Sequence, residues 1–164
     1  MRAIVTFFSI LGLDLGTKHW AEQKLPLNRK KEIVKNRLYF WHIKNGGMAY
    51  NRFDGRRKGI LLSTGALLVF YSGLFFRILG GKGDRRIALP LAVTLGGGYA
   101  NFWERLKKGK VTDFLYFPIK GKNAPIFNLA DIAIVFGATW MTILPCFKNK
   151  KKRFLCCLVR TIVV

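Results

Sequence analysis

The chain has 164 residues, of which 51% are hydrophobic, and it carries a formal net charge of +21. Its length suits one domain. A cytosolic nucleic-acid binder would account for the charge but not for the apolar content. A membrane protein accounts for both, because basic loops lie against anionic lipid headgroups. We therefore expect membrane lipid, and no nucleic acid, among its partners.

The first candidate element opens the chain. Residues Ala3 to Leu13 are apolar, and Asp14 and Lys18 then interrupt the run before Trp20. A cleaved signal peptide is one interpretation, but no small-residue cleavage site follows the segment. We predict instead a first membrane helix that extends to about Trp20.

Three further apolar stretches follow, and each approaches the ~20 residues that a helix needs to cross a bilayer. They are Gly59 to Phe76 and Ile87 to Trp103, which carry no charge, and Asn123 to Phe147, whose single charge is Asp131. The sequence thus predicts a mainly α-helical membrane protein. It would have four transmembrane helices in a single domain over residues 1–164.

Four helices would place two large connections, Glu22 to Lys58 and Arg105 to Lys122, on one side of the membrane. The other side would hold both termini and the short turn Arg77 to Arg86. Lys and Arg are dense in this turn and in residues 148–164, and such density is typical of the cytoplasmic side. Residues 148–164 would then be a basic cytoplasmic tail with a short apolar end. The basic stretch Lys18 to Lys58 opposes this orientation by count alone.

Half of the eight acidic residues belong to the side with the large connections. Asp14 and Asp131 lie within proposed helices, Glu104 ends one, and Asp113 follows shortly after. An ionisable residue inside a membrane helix is costly and is by default a hypothesis for a functional site. These four carboxylates are therefore the first candidates.

Taken one at a time, the patterns in the helices fit ordinary structural roles. Asp14 and Lys18 are four residues apart and would pair on one helix face. Gly97, Asn101 and Arg105 share that spacing and would form a packing seam with an interfacial arginine.

The two later carboxylates also fit simple structural roles. Asn128 would cap the last helix, with Asp131 favoured in its first turn. Asp113 would be a lone interfacial carboxylate in the β-like, aromatic stretch Val111 to Phe117.

The joint pattern favours acid–base chemistry. Asp113 and Asp131 belong to segments that end on the same face, which fits an aspartic protease, in which two close carboxylates share one proton. The ionised partner takes a proton from water, and the protonated partner polarises the scissile carbonyl. No metal or cofactor is required. The sequence does not favour a Ser–His–Asp triad, because such a triad needs a histidine near a serine and neither His19 nor His42 has that context.

The cysteines add no metal site to this interpretation. Cys146, Cys156 and Cys157 lack metal-ligand spacing, and the two histidines lie far from them in sequence. The odd number of cysteines also argues against a disulfide framework.

Five short blocks, in order, resemble the lipoprotein signal peptidases (signal peptidase II). The family's first-helix block has Asp, two variable residues, Thr or Ser, then Lys, and its catalytic aspartates lie in Gly-x-Val-x-Asp-Phe and Phe-Asn-x-Ala-Asp blocks. The similar blocks here are Asp14 to Lys18, Asn45 to Ala49, Gly97 to Asn101 with Arg105, Gly109 to Phe114, and Phe127 to Asp131. The resemblance runs from about Asp14 to Gly137.

The resemblance implies a fold and an activity. Four helices would carry a small extracytoplasmic β-rich cradle and a small interfacial helix in a multi-pass protein of the bacterial inner membrane. The enzyme would be an aspartic endopeptidase and a monomer. Its substrate would be a diacylglyceryl-modified prolipoprotein, cut just before the lipidated cysteine.

The resemblance also implies roles for single residues. Asp113 and Asp131 would be the catalytic pair. Four side chains would bind the substrate backbone or orient the pair, namely Asn45, Asn101, Arg105 and Asn128. Supporting residues would be Asp14, Lys18, Gly97, Glu104 and Ala130.

One departure from the family pattern concerns Glu104, which stands where the family usually has Asp. Because the substitution Glu104→Asp restores the usual residue, the resemblance predicts that it leaves activity largely intact. Two alternatives stay open from the residues alone. The chain could be an inactive membrane-bound relative, or a small protein in which Asp14 and Asp131 relay ions or protons.

Overall fold

The structure is a computed structural model that describes residues 1–47, 57–118 and 124–148, with the side chains of residues 145–148 left aside. Four long helices are present: α1 (Arg2–Lys24), α2 (Arg57–Leu79), α3 (Ala88–Lys108) and α4 (Leu129–Lys148). A short 3-10 turn (Arg85–Ile87) precedes α3. The strands are β1 (Lys30–Val34), β2 (Leu38–Asn45), β3 (Val111–Tyr116) and β4 (Ile126–Phe127). Part of the second sequence block (Met48 and Ala49) and the tail after Lys148, with Cys156 and Cys157, lie outside the described residues.

The helices do not coincide with the apolar stretches. The first helix continues past Trp20 to Lys24, and the third continues past Trp103 to Lys108. The last helix begins at Leu129, directly after the predicted cap Asn128, so the apolar stretch that starts at Asn123 is corrected at its start. The apolar segment before Leu129 forms β4, which pairs with β3, and Pro125 disfavours a helical residue before it.

The helices differ in how closely they resemble membrane spans. Within the described residues, α2 alone is long and apolar enough to cross a bilayer, and Leu129–Leu144 of α4 is a shorter apolar stretch. Four polar side chains of α1 and α3 are turned inward: Asp14, Lys18, Asn101 and Glu104 are all buried. Large apolar side chains are instead exposed on the outside, among them Phe8, Leu62, Val69, Phe70 and Val135.

A four-stranded antiparallel sheet with the order β1-β2-β3-β4 is built from the segments between α1 and α2 and between α3 and α4. In its register Ile43 lies opposite Asp113, and Leu115 lies opposite Phe127. Phe114 packs with Ala21 and Leu25 at the end of α1. The sheet therefore rests on the C-terminal end of α1, which brings β3 close to α3.

The central helix is α3, which packs against α1, α2 and α4, whereas α2 packs mainly against α3. Gly97 permits the close approach of α3 and α4, because a Cβ at this position would lie 2.5 Å from the carbonyl oxygen of Ala130. The predicted packing seam at Gly97 is thus present, and it lies one helical turn before Asn101.

Candidate active site

Asp113 and Asp131 line the same cleft, which has a volume of about 310 Å³. Asp113 lies on β3 and is only 2% exposed. Asp131 lies in the first turn of α4 and is half-buried. The cleft is also lined by Asn45, Asn101 and Arg105. Residues from two strands and two helices therefore converge where the sheet meets the helix ends.

Asn128 connects the two carboxylates. Its side-chain amide donates to Asp113 Oδ1 at 2.7 Å. Its side-chain oxygen accepts from the backbone N–H of Asp131 at 2.9 Å, and its own backbone N–H donates to Asp131 Oδ2 at 3.2 Å. The last two bonds form a reciprocal helix cap. Asn128 is thus both the predicted cap and a bridge between the carboxylates.

Two further amides hold one carboxylate each. Asn45 donates to Asp113 Oδ2 at 3.0 Å. Asn101 donates to Asp131 Oδ1 at 2.8 Å. Each carboxylate therefore accepts an N–H bond at both of its oxygens, and both are fixed in position.

The environment of Asp113 favours its protonated form. Burial raises the pKa of its carboxyl to about 7, and the charge of Asp131 adds to the effect, while the bonds from Asn45 and Asn128 oppose it. A carboxyl with a pKa near 7 can hold or release a proton at neutral pH. Together with Asp131, the cleft can supply one acid and one base.

Lys18 organises a second layer behind the carboxylates. It is 2% exposed, and its ammonium lies 2.7 Å from Asp14, 2.6 Å from Asn101 Oδ1 and 3.4 Å from Glu104. Asp14 in turn accepts the backbone N–H of Ala130 at 2.7 Å. The supporting residues proposed from the resemblance therefore tie α1 to Asn101 on α3 and to the start of α4.

Glu104 fixes the strand that carries Asp113. One of its carboxylate oxygens accepts the backbone N–H of Thr112 at 3.0 Å, and the other accepts the Thr112 hydroxyl at 2.5 Å. Because Thr112 immediately precedes Asp113, Glu104 sets the position of β3 relative to α3.

Four residues of this polar layer were not predicted from the sequence. Lys44 contacts Glu22 and lies 2.7 Å from the Thr112 hydroxyl, and Lys108 donates to Glu22 at 2.6 Å. One of them, Glu22, could have been found from the sequence, because it continues the four-residue spacing of Asp14 and Lys18. No such spacing could have connected Glu22 to the sheet. The missed set is Glu22, Lys44, Lys108 and Thr112.

Arg105 reaches the cleft from the end of α3. Its guanidinium donates to the backbone oxygen of Gly47 at 2.8 Å. Its Nε is buried and has no hydrogen-bond partner among the described residues. The Arg105 side chain also lines the cleft, so its guanidinium can offer N–H donors to a ligand bound there.

The histidines take no part in this site. His42 is buried, and its Nδ1 lies 3.0 Å from the backbone oxygen of Leu25, while His19 faces Gln23. Within the part of the chain that the structure describes, no group of three or more His, Cys, Asp or Glu side chains is placed to hold a metal ion.

The fold matches two solved structures, each described as "Bacterial membrane enzyme structure by the in meso method", at 2.3 Å and 1.9 Å resolution. The TM-scores are 0.81 and 0.76, and the sequence identity is 22% in both cases. The matches cover 92% and 87% of this chain and 91% of each solved chain. The class is therefore a helical fold shared with bacterial membrane enzymes, here with a paired-carboxylate cleft.

Sequence similarity gives the family within this class. A family model described as Signal peptidase (SPase) II matches residues 6–147. The chain is 32% identical to a lipoprotein signal peptidase of Xanthomonas campestris pv. campestris (strain 8004), a match that covers 88% of this chain and 87% of the relative. It is 30% identical to a lipoprotein signal peptidase of Clostridium novyi (strain NT), over 87% of this chain and 95% of the relative. The chain belongs to the signal peptidase II family, which indicates a protein of the bacterial inner membrane.

Proposed function

We propose that this protein is a membrane aspartic endopeptidase that removes the signal peptide from diacylglyceryl-modified prolipoproteins, just before the lipidated cysteine. The observation that carries the proposal is the placement of Asp113 and Asp131 at one cleft, bridged by Asn128. The relatives named lipoprotein signal peptidase support the choice of substrate.

The carboxylates would divide the acid and base roles between them. The raised pKa of Asp113 favours it as the protonated partner. Asp131, ionised, takes a proton from a water molecule as the water oxygen attacks the scissile carbonyl carbon. Asp113 donates its proton to the carbonyl oxygen, which leaves a gem-diol. Asp131 then passes its proton to the leaving amine, and Asp113 recovers a proton from the diol as the carbonyl re-forms and the C–N bond breaks.

The polar lining of the cleft would hold the substrate. Arg105 lines the cleft, and its guanidinium suits a backbone carbonyl of a bound peptide. The side chains of Asn45, Asn101 and Asn128 already donate to the carboxylates, so we assign them mainly to orienting the pair.

The lipid part of the substrate fits a membrane location. We place the four long helices across the bilayer, with the termini in the cytoplasm and the sheet and the cleft on the extracytoplasmic face. The exposed apolar side chains on α1, α2 and α4 support this placement. The acyl chains of the substrate would remain in lipid, where burial contributes about 0.8 kcal/mol per CH₂. We expect the enzyme to act as a monomer.

The direct test is cleavage of a diacylglyceryl-modified prolipoprotein by the purified protein in detergent. The variants Asp113→Asn and Asp131→Asn keep the side-chain size but remove the acid–base function. We expect each to lower kcat by at least about 10²–10⁴-fold while the protein still partitions into membranes. Asp84→Asn, in the turn before α3 and remote from the cleft, is the matched control and should cleave normally. Near-normal turnover by either active-site variant would refute the paired-carboxylate mechanism.

A further inference from the structure

The loop after α1 has an unusual surface, which we call the basic hairpin (residues 26–37). All twelve of its residues are exposed. Its only acid, Glu32, binds the backbone N–H of Asn36 and the hydroxyl of Tyr39. Lys30 stacks over the ring of Trp41 at 4.0 Å. The four other cations of the hairpin, Arg29, Lys31, Lys35 and Arg37, form no salt bridge with an acid in the described parts of the chain.

Aliphatic side chains lie among these cations. Ile33 and Val34, beside the turn between β1 and β2, are 44% and 46% exposed, and Leu27 at the base of the hairpin is 53% exposed. Surfaces that combine Lys and Arg with exposed aliphatic side chains are typical of segments that lie at the boundary between lipid headgroups and acyl chains.

Exposed tryptophans place the hairpin at the level of the bilayer surface. Trp20, close to the end of α1, is 40% exposed, and Trp103, close to the end of α3, is 47% exposed. Exposed Trp at helix ends is characteristic of the membrane–water interface. The hairpin begins a few residues after Trp20, on the same side as the carboxylate cleft.

Protection of the sheet edge would account for only part of this pattern. Lysines on an edge strand keep it from pairing with other chains, which would explain Lys30 and Lys31 on β1. That role does not require cations in the turn, and exposed aliphatic side chains work against it. Nor would these cations serve to orient the protein, since basic residues on the extracytoplasmic side oppose the usual charge distribution.

We propose that the basic hairpin is a docking surface for anionic lipid. Arg29, Lys31, Lys35 and Arg37 bind phosphate-bearing headgroups, and Ile33 and Val34 enter the acyl boundary. The inference rests on the membrane placement given in the proposed function, but it concerns a surface that takes no part in the acid–base chemistry.

The test uses the full-length protein reconstituted into vesicles. Ile33→Cys, in a background with Cys146, Cys156 and Cys157 replaced by Ser, is labelled with an environment-sensitive fluorophore. The vesicles contain phosphatidylcholine alone or a mixture with phosphatidylglycerol, together with a lipid that carries a shallow nitroxide quencher. We expect several-fold stronger quenching and a blue-shifted emission in the anionic vesicles, and loss of both at high salt.

Charge-removal variants make the test specific. Replacing Arg29, Lys31, Lys35 and Arg37 together by Gln should abolish the difference between the two vesicle types. Replacing the four cations of the opposite turn, Arg77, Lys82, Arg85 and Arg86, should leave it unchanged. Equal quenching in both vesicle types, with normal prolipoprotein cleavage, would overturn the lipid-docking inference and leave the proposed function standing. Lipid-dependent quenching in a protein without peptidase activity would uphold the docking surface and refute the proposed function.

Discussion

At the scale of single residues, the raised pKa of Asp113 makes the stability of the folded protein depend on pH. In the unfolded chain this carboxyl titrates near 3.8, and in the fold it titrates near 7. Between these values the folded protein holds a proton that the unfolded chain has released. Because the folded state then binds more protons, this group makes stability fall as the pH rises from about 4 to about 7.

The first prediction follows from this fall in stability with rising pH. Between about pH 4 and about pH 7, the melting temperature of the parent in detergent should fall more steeply than that of Asp113→Asn, which cannot ionise. Intrinsic tryptophan fluorescence during heating would measure both. Parallel curves for the two proteins would show that Asp113 is not responsible for the dependence.

The second prediction concerns Glu104 and departs from the expectation drawn from the resemblance. In Glu104→Asp the shorter side chain cannot reach both the N–H and the hydroxyl of Thr112 from the same backbone position. We now expect a loss of stability of about 1–3 kcal/mol, because a buried donor is left unpaired. We also expect a several-fold lower kcat, because β3 carries Asp113.

Glu104→Gln is the matched control for length. It keeps the reach to Thr112 but removes the charge that faces Lys18. If Glu104→Asp retained full activity and stability, α3 and β3 would have to readjust to the shorter side chain, and the expectation from the resemblance would stand. Melting temperature and single-turnover cleavage distinguish these cases.

The sequence was more informative for the carboxylates than for their surroundings. Asp113 and Asp131 could be selected because acids are scarce and because each lies in a distinct short block. The contact between Glu22 and Lys44 could not be predicted, since it joins a helix to a strand that is distant along the chain. Local spacing predicts neighbours along a helix, but it carries no information on such long-range pairs.

At the scale of elements, the distance between α3 and α4 decides whether Asn101 reaches Asp131. The third prediction is that Gly97→Ala impairs the enzyme, because its Cβ would lie 2.5 Å from the Ala130 carbonyl oxygen and would push the helices apart. We expect about 1–3 kcal/mol of destabilisation from this overpacking. Cleavage should fall by about tenfold or more, as expected when a reacting group is misplaced.

A second glycine supplies the control for this experiment. Gly73, on α2, has no atom within 4 Å of an added Cβ. Gly73→Ala should therefore leave cleavage unchanged and should not lower stability. Equal effects of the two substitutions would mean that helix propensity, and not helix separation, is being measured.

The elements themselves were largely predictable, but the apolar stretch from Asn123 includes residues that precede α4. An apolar run does not by itself distinguish a strand from a helix. The extended residues before Asn128 are defined by pairing with β3, and that pairing is not visible in the sequence. The β-like composition of Val111 to Phe117, by contrast, correctly indicated β3.

At the scale of the whole molecule, the sequence predicted four long helices but left their orientation in conflict. The fourth prediction settles it by experiment in intact cells. In the cysteine-free background, Lys31→Cys should react with a membrane-impermeant maleimide from outside the inner membrane. Lys82→Cys should react only after that membrane is permeabilised. The reverse pattern would place the cleft in the cytoplasm and contradict the proposed orientation.

The sequence left open the alternative that the protein relays ions or protons. Such a relay would use Asp14 together with Asp131. Asp14 is instead fully buried, paired with Lys18 and bonded to the N–H of Ala130. These contacts suit a residue that fixes the start of α4.

The position of α2 has a consequence for how the protein adapts to membranes of different thickness. This helix packs mainly against α3, its outer surface carries Leu62, Val69 and Phe70, and it contributes no side chain to the carboxylate cleft. Bilayers differ in thickness by several Å, and a helix adapts by tilting or kinking. Because Asp113 and Asp131 lie on β3 and α4, we expect α2 to follow changes in hydrophobic thickness while the geometry of the cleft stays the same.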